Sequence, residues 1–206
     1  YQKSIAAPWL IYKIFGKWGE LIGQTPSHSD MPYLDGIWAY AQGSAMLATG
    51  DLAGARKQLE KLQTIANAPD ADEYRAGPTP VSSIIKLAAF GLDGEIKQKE
   101  GHLDAAITAF EKAVALEDLN NYTEPPDWAQ PMRNYLGAAL MEAGQYAEAE
   151  AVYRRDLKWN HKNGWSMFGL HKALRAQGRS SEAVAVEQQF KSAWQHADIE
   201  LTQSRF

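Results

Sequence analysis

Four residues toward the C-terminal end carry the most readable chemistry. Trp165, Phe168, Lys172 and Arg175 follow one another at intervals of three, four and three, the spacing at which side chains share one face of an α-helix. The two aromatics supply apolar area that can anchor a partner, and the two cations beside them can receive a carboxylate, Arg175 as a bidentate donor. This is recognition chemistry, suited to an extended peptide or a partner's helix. The competing reading has Trp165 and Phe168 covering the final seam between repeats.

Reactive chemistry is harder to find. The histidines stand at 28, 102, 161, 171 and 196, and none forms the HExxH pair or another tight metal-ligand spacing. Each is expected at the surface or in packing. Asp70, Asp72 and Glu73 fall in a turn-rich loop and read as solvated charge. No serine sits in a nucleophile elbow, and no Gly-rich phosphate loop follows a strand. The chain has no cysteine, which removes disulfides, thiolate zinc sites and thiol catalysis. The expectation is therefore no catalytic residue, no metal and no cofactor, and a protein that is not an enzyme.

Composition narrows the partners. At 206 residues, 45% hydrophobic and 22% charged, the chain has the make-up of an ordinary globular protein. A net charge of -4 disfavours a general nucleic-acid binder. No apolar run approaches the roughly 18 residues of a membrane span, so no membrane insertion is expected. Charge is unevenly spread: residues 91–127 hold nine acids and three lysines, whereas residues 153–181 hold seven Lys or Arg and only Asp156. These are either solvated helix faces or a basic end that steers an acidic partner. Contact between copies of the chain is a third use of the same asymmetry. The chain begins at Tyr1, which reads as a processed protein or a piece of a longer one. The compartment stays open, with the cytoplasm as the default.

The elements that position these residues announce themselves by a repeat. "GDLAGA", "GHLDAA", "GQYAEA" and "GRSSEA" each place an alanine five residues after a glycine: Gly50/Ala55, Gly101/Ala106, Gly144/Ala149 and Gly178/Ala183. "GKWGEL" gives an imperfect copy in Gly16/Leu21. Glycine ends a helix cheaply in the left-handed conformation, and a small residue early in the next helix lets two helices cross closely. The glycines are separated by 34, 51, 43 and 34 residues. Gly43, Gly94 and Gly137 recur upstream, and Leu59, Phe110 and Tyr153 downstream. His171 and Glu187 replace the small and aromatic residues in the last unit, as befits a cap that meets water. Helices are expected near 8–15, 17–24, 32–48, 51–66, 80–100, 102–116, 128–143, 146–159, 164–177 and 180–198, with no strand. Residues 64–80 and 119–127 read as insertion loops. Thr79-Pro80 and Asp127 look like helix caps.

A 34-residue helix-turn-helix period with this Gly and Ala register resembles the tetratricopeptide repeat family. "PPDWAQPMRNYLGAALMEAGQYAEAEAVYRRDLKWNHKNGWSMFGL" and "ADIELTQSRF" more narrowly resemble the C-terminal half of bacterial multi-repeat proteins of unassigned function, which implies further repeats upstream. The resemblance implies an all-α right-handed superhelix of about four to five helix pairs. It would form one repeat domain over 1–206, with units near 2–30, 36–66, 87–118, 130–163 and 164–198. It also implies that the first helix of each unit lines a concave groove. In this chain those positions fall on Ile37, Tyr40, Ser44 and Leu47, on Glu95 and Gln98, on Asn134, Ala138 and Met141, and on Trp165, Phe168, Lys172 and Arg175. The Lys and Asn set with which some members clamp a peptide carboxylate is incomplete here. The expected partner-binding residues are Tyr40, Asn134, Met141, Trp165, Phe168, Lys172 and Arg175, with Asn134 bonding the partner's backbone. The expected partner is a protein or peptide, an acidic segment being the natural complement. A self-assembling structural unit and a regulatory part of a larger enzyme are the alternatives. Trp18, Trp38 and Trp159 are expected between helices.

Overall fold

The computed structural model describes residues 2–25, 31–120 and 123–206. His28, and Asn121 and Tyr122 of the second insertion loop, lie outside them. The described residues are all-α, with one two-residue strand pair. Helices α1 (Gln2–Ile14), α2 (Trp18–Ile22), α3 (Pro32–Ala48) and α4 (Leu52–Ala66) come first. Strands β1 (Arg75–Ala76) and β2 (Thr79–Pro80) follow, then α5 (Val81–Lys99), α6 (Leu103–Leu119), α7 (Met132–Glu142), α8 (Tyr146–Trp159), α9 (Gly164–Ala176) and α10 (Ser180–Ala193).

The hinge glycines do what the spacing requires. Gly16, Gly50, Gly101, Gly144 and Gly178 all adopt positive φ, between 62° and 93°, a region closed to most side chains. Each terminates one helix so that the next can fold back antiparallel. The alanines five residues on, Ala55, Ala106, Ala149 and Ala183, are completely buried. Consecutive helices pack as pairs, α3 with α4, α5 with α6, α7 with α8 and α9 with α10. The first helix of a pair also meets the first helix of the next: α3 touches α5, and α7 touches α9.

Two compact units result, Tyr1–Gln130 and Pro131–Phe206. In the first, Ile37, Ile84, Ile85, Leu87, Leu92 and Phe110 form the core. In the second, Met132, Tyr135, Leu140, Tyr153, Leu170 and Leu174 do.

Several expectations are corrected. Helix α1 starts at Gln2 rather than at Pro8, which lies inside it. The fully buried Ala6 and the ion pair from Lys3 to Asp127 hold the turn ahead of the proline in place. Residues 75–80 form a small antiparallel ladder, Ala76 opposite Thr79, turning at Gly77 with φ 72°. Thr79 and Asp127 do not cap helices. They bond each other, and Asp127 also accepts from Thr123 at 3.2 Å. Without that cap α7 begins only at Met132. Helix α10 ends at Ala193, five residues early, because the chain turns back at Trp194. Trp38 is buried against Trp9, their rings 5.0 Å apart, but Trp159 is 70% exposed and packs between no helices.

Candidate functional site

The first unit encloses its own share of the expected groove. Ile37, Tyr40, Ser44, Leu47, Glu95 and Gln98 are all buried. Lys13 of α1 covers two of them. Its ammonium reaches Glu95 on α5 at 3.0 Å and lies 4.6 Å from the centre of the Tyr40 ring. Ser44 donates a further hydrogen bond to Glu95 at 3.2 Å. The other face of Tyr40's surroundings is filled by Trp128, 5.1 Å away and itself buried. Burial, with the charge of Asp127 adding to it, pushes the Tyr33 phenol up to about 12. Tyr40 is therefore buried within this unit, between Lys13 and Trp128.

The second unit keeps an open site. Ala138, Met141 and Glu142 of α7, Tyr153 of α8, and Phe168, Gly169 and Lys172 of α9 line a cavity of about 350 Å³, within the size range of small-ligand and peptide side-chain pockets. Thr202, Gln203 and Ser204 form its remaining wall. Three of the seven expected binding residues, Met141, Phe168 and Lys172, thus meet in one place. Lys172 is exposed, with its ammonium 5.3 Å above the Phe168 ring.

Asn134, Trp165 and Arg175 face other tasks. Asn134 is completely buried. Its amide donates to Ser166 at 2.7 Å and its carbonyl oxygen accepts from Asn163 at 3.3 Å. Ser166 and Asn163 in turn donate to Asp156 at 2.6 and 2.8 Å, while Asn163 caps the N-terminus of α9. The side chain expected to bond a partner is thus committed to a network joining α7, α8 and α9. Trp165 packs edge-on against Trp194 at the end of α10, with centroids 4.8 Å apart, a contact within one helix pair. Phe190 stacks on the far side of Trp194 and also meets Phe168 at 5.6 Å. Arg175 pairs with Glu187 of α10 at 3.0 Å. Lys191 and Arg175 together hold the Glu187 carboxyl down at about 2.

One wall of the cavity was invisible to periodicity. Tyr153 reads from sequence as a packing aromatic, and its ring does fill a slot between helices. A Cβ at Gly137 would come within 2.4 Å of that ring, and one at Gly169 within 2.2 Å. The two glycines let the ring pass between α7 and α9, so that its hydroxyl emerges at the cavity and meets Ser204 at 2.7 Å. Burial pushes the phenol well above its ordinary value, so it stays a donor at neutral pH. Ser204 lies in a segment with no periodic signal at all.

Among the described residues, no cluster of His, Asp and Glu that could hold a metal comes together, and no helix is long and apolar enough to cross a membrane. No protein-family model matches the chain, and no curated protein matches it.

Proposed function

We propose that the chain is an interaction module of the tetratricopeptide type, in which α7 and α9 hold a peptide segment of a partner protein. The supporting observation is the cavity lined by Ala138, Met141, Phe168 and Lys172, already flanked on one side by a stretch of non-helical chain at 202–204. Apolar walls from Ala138, Met141 and Phe168, with Lys172 and Glu142 exposed at the rim, suit a segment that buries one side chain and pairs its polar groups with that rim, a carboxylate going to Lys172. The recurrent left-handed glycines and fully buried alanines support the repeat assignment and, with it, the superhelical arrangement typical of such repeats.

The test is selection of peptides from a display library on the immobilised chain, followed by titration against Lys172→Glu and Met141→Ala. Circular dichroism checks that both variants fold. Selected peptides should bind each variant at least about fivefold more weakly, and the Lys172 effect should shrink at high salt, where charges are screened beyond a few ångströms. Binding that ignores both variants, or that responds instead to Arg155→Ala/Lys158→Ala on α8, removes the α7–α9 face from the function.

A further inference from the structure

After α10 the chain runs through an exposed stretch, residues 195–198, and then returns to the α7–α9 face. The Trp194 indole donates to the Ile199 carbonyl at 3.0 Å and sets the turn. Ser204, 2% exposed, donates to the main-chain carbonyl of Asn134 at 2.7 Å. Its single proton is used there, so the 2.7 Å contact with Tyr153 must have the phenol as donor. The Arg205 guanidinium lies over the Tyr135 ring at 5.4 Å. Ile199, Leu201 and Phe206 are only half-buried, and Thr202 and Gln203 are exposed beside a cavity they do not fill. An enclosed hydroxyl, a cation over a ring and modest apolar cover thus contribute to holding the segment.

These contacts are selective in kind. A donor (the Tyr153 hydroxyl) and an acceptor (the Asn134 carbonyl) converge on one small enclosed spot. Only a group that both accepts and donates satisfies them together, and a hydroxyl does so. Alanine would leave both unpaired, and a carboxylate or phosphate would face the carbonyl without a proton. The aromatic face of Tyr135 next to it suits a cation.

We propose that this face reads a serine followed directly by a cationic residue, and that residues 199–206 are the chain's own copy of that segment, exchanged for the same chemistry on a partner protein. The inference rests on the reading of α7 and α9 as a peptide site and specifies what that site takes. A tethered segment competes at a high effective concentration. The free face is therefore a minor state, and apparent affinity for a partner falls by the fraction of chains with the segment released.

The test uses the full chain and a fluorescein-labelled peptide of sequence Ile199–Phe206, followed by anisotropy. Ser204→Glu places a charge in the enclosed spot and should release the segment. That variant, shown folded by circular dichroism, should bind the peptide about tenfold or more tightly than the parent chain. The same peptide with alanine or phosphoserine at the Ser204 position should bind it at least about tenfold more weakly. So should the parent peptide against Ser204→Glu/Tyr153→Phe. Equal affinity for the parent chain and Ser204→Glu would mean the segment does not compete, leaving the peptide-site reading intact. Equal affinity for the serine and alanine peptides would overturn the hydroxyl specificity. No binding to folded Ser204→Glu would overturn the inference outright, while library peptides sensitive to Lys172→Glu would show that the peptide site itself survives. Should Ser204→Glu not fold, Gln203→Cys supplies a second route, since a chain without cysteine takes a dye there alone. Excess unlabelled serine peptide should shift that dye's emission and the alanine peptide should not; no shift with either overturns the exchange.

Discussion

Tyr153 and Ser204, 51 residues apart in the chain, share a 2.7 Å hydrogen bond in a site where neither side chain meets bulk water. Ser204→Ala leaves the Tyr153 hydroxyl and the Asn134 carbonyl without this partner, at a cost of about 1–3 kcal/mol, whereas Tyr153→Phe leaves Ser204 its bond to Asn134 and costs less. Tyr153→Phe and Ser204→Ala should each lower the melting temperature, and the double variant should cost less than the sum because the two share one interaction. Hydrogen exchange should report faster amides in residues 199–206 of each variant. Unchanged exchange there would mean that this bond does not hold the segment.

The slot that admits the Tyr153 ring depends on two missing methyl groups. Gly137→Ala or Gly169→Ala would place a Cβ at 2.4 or 2.2 Å from the ring, and the ring is rigid and enclosed. A loss of about 1–3 kcal/mol is expected from overpacking of this kind. Gly19→Ala in α2 is the control. It meets nothing within 4 Å, and alanine's better helix propensity should leave stability unchanged or raise it by up to about 1 kcal/mol. Chemical denaturation curves that fail to separate the two classes would refute the slot.

Lys13 and Glu95 are each almost wholly buried and 3.0 Å apart. Breaking a buried pair from one side strands the other charge, at roughly 3–5 kcal/mol, whereas replacing both costs far less. Lys13→Met and Glu95→Leu should each destabilise strongly, and the double variant should recover most of the loss. Additive single effects in urea melts would show that the pair is not coupled.

Acid should loosen the C-terminal helices through Glu150. Burial works against its charge, but hydrogen bonds from Arg154, Gln177 and Arg179 outweigh that and hold the carboxyl below its ordinary value of 4.5. A carboxyl with a lowered folded-state value stabilises the fold fully above about 4.5 and loses that contribution as pH falls through the folded value. Melting temperature should therefore be level from neutral pH down to about 5 and then decline, and Glu150→Gln should flatten the decline. Parallel curves for the two chains would assign the acid sensitivity elsewhere.

The hinges and crossings were legible because they depend on one residue type at one place. A glycine at a fixed interval before an alanine needs no knowledge of distant contacts. The five hinge glycines have the backbone conformation that their spacing requires, and the four alanines are sealed at crossings. Helix ends were less legible wherever a distant partner decided them. Asp127 had the look of a cap, but Lys3 and Thr79 reach it first, and α10 stops where the Trp194 indole finds the Ile199 carbonyl.

The candidate site divides along the same line. Helical spacing by itself placed Phe168 and Lys172 on one face of α9, because side-chain direction along a helix is a local property, and the repeat register pointed to Met141 on the first helix of the preceding pair. What covers each face was decided only in three dimensions. Lys13 enters beside Tyr40 from a helix 27 residues earlier, Asn134 turns inward to Ser166 across 32 residues, and Ser204 returns to Asn134 across 70. Hydrogen bonds of that reach leave no period in a sequence. They follow from which hydroxyls, amides and carbonyls the packed helices leave facing one another, and a buried polar group must take the partner it finds there.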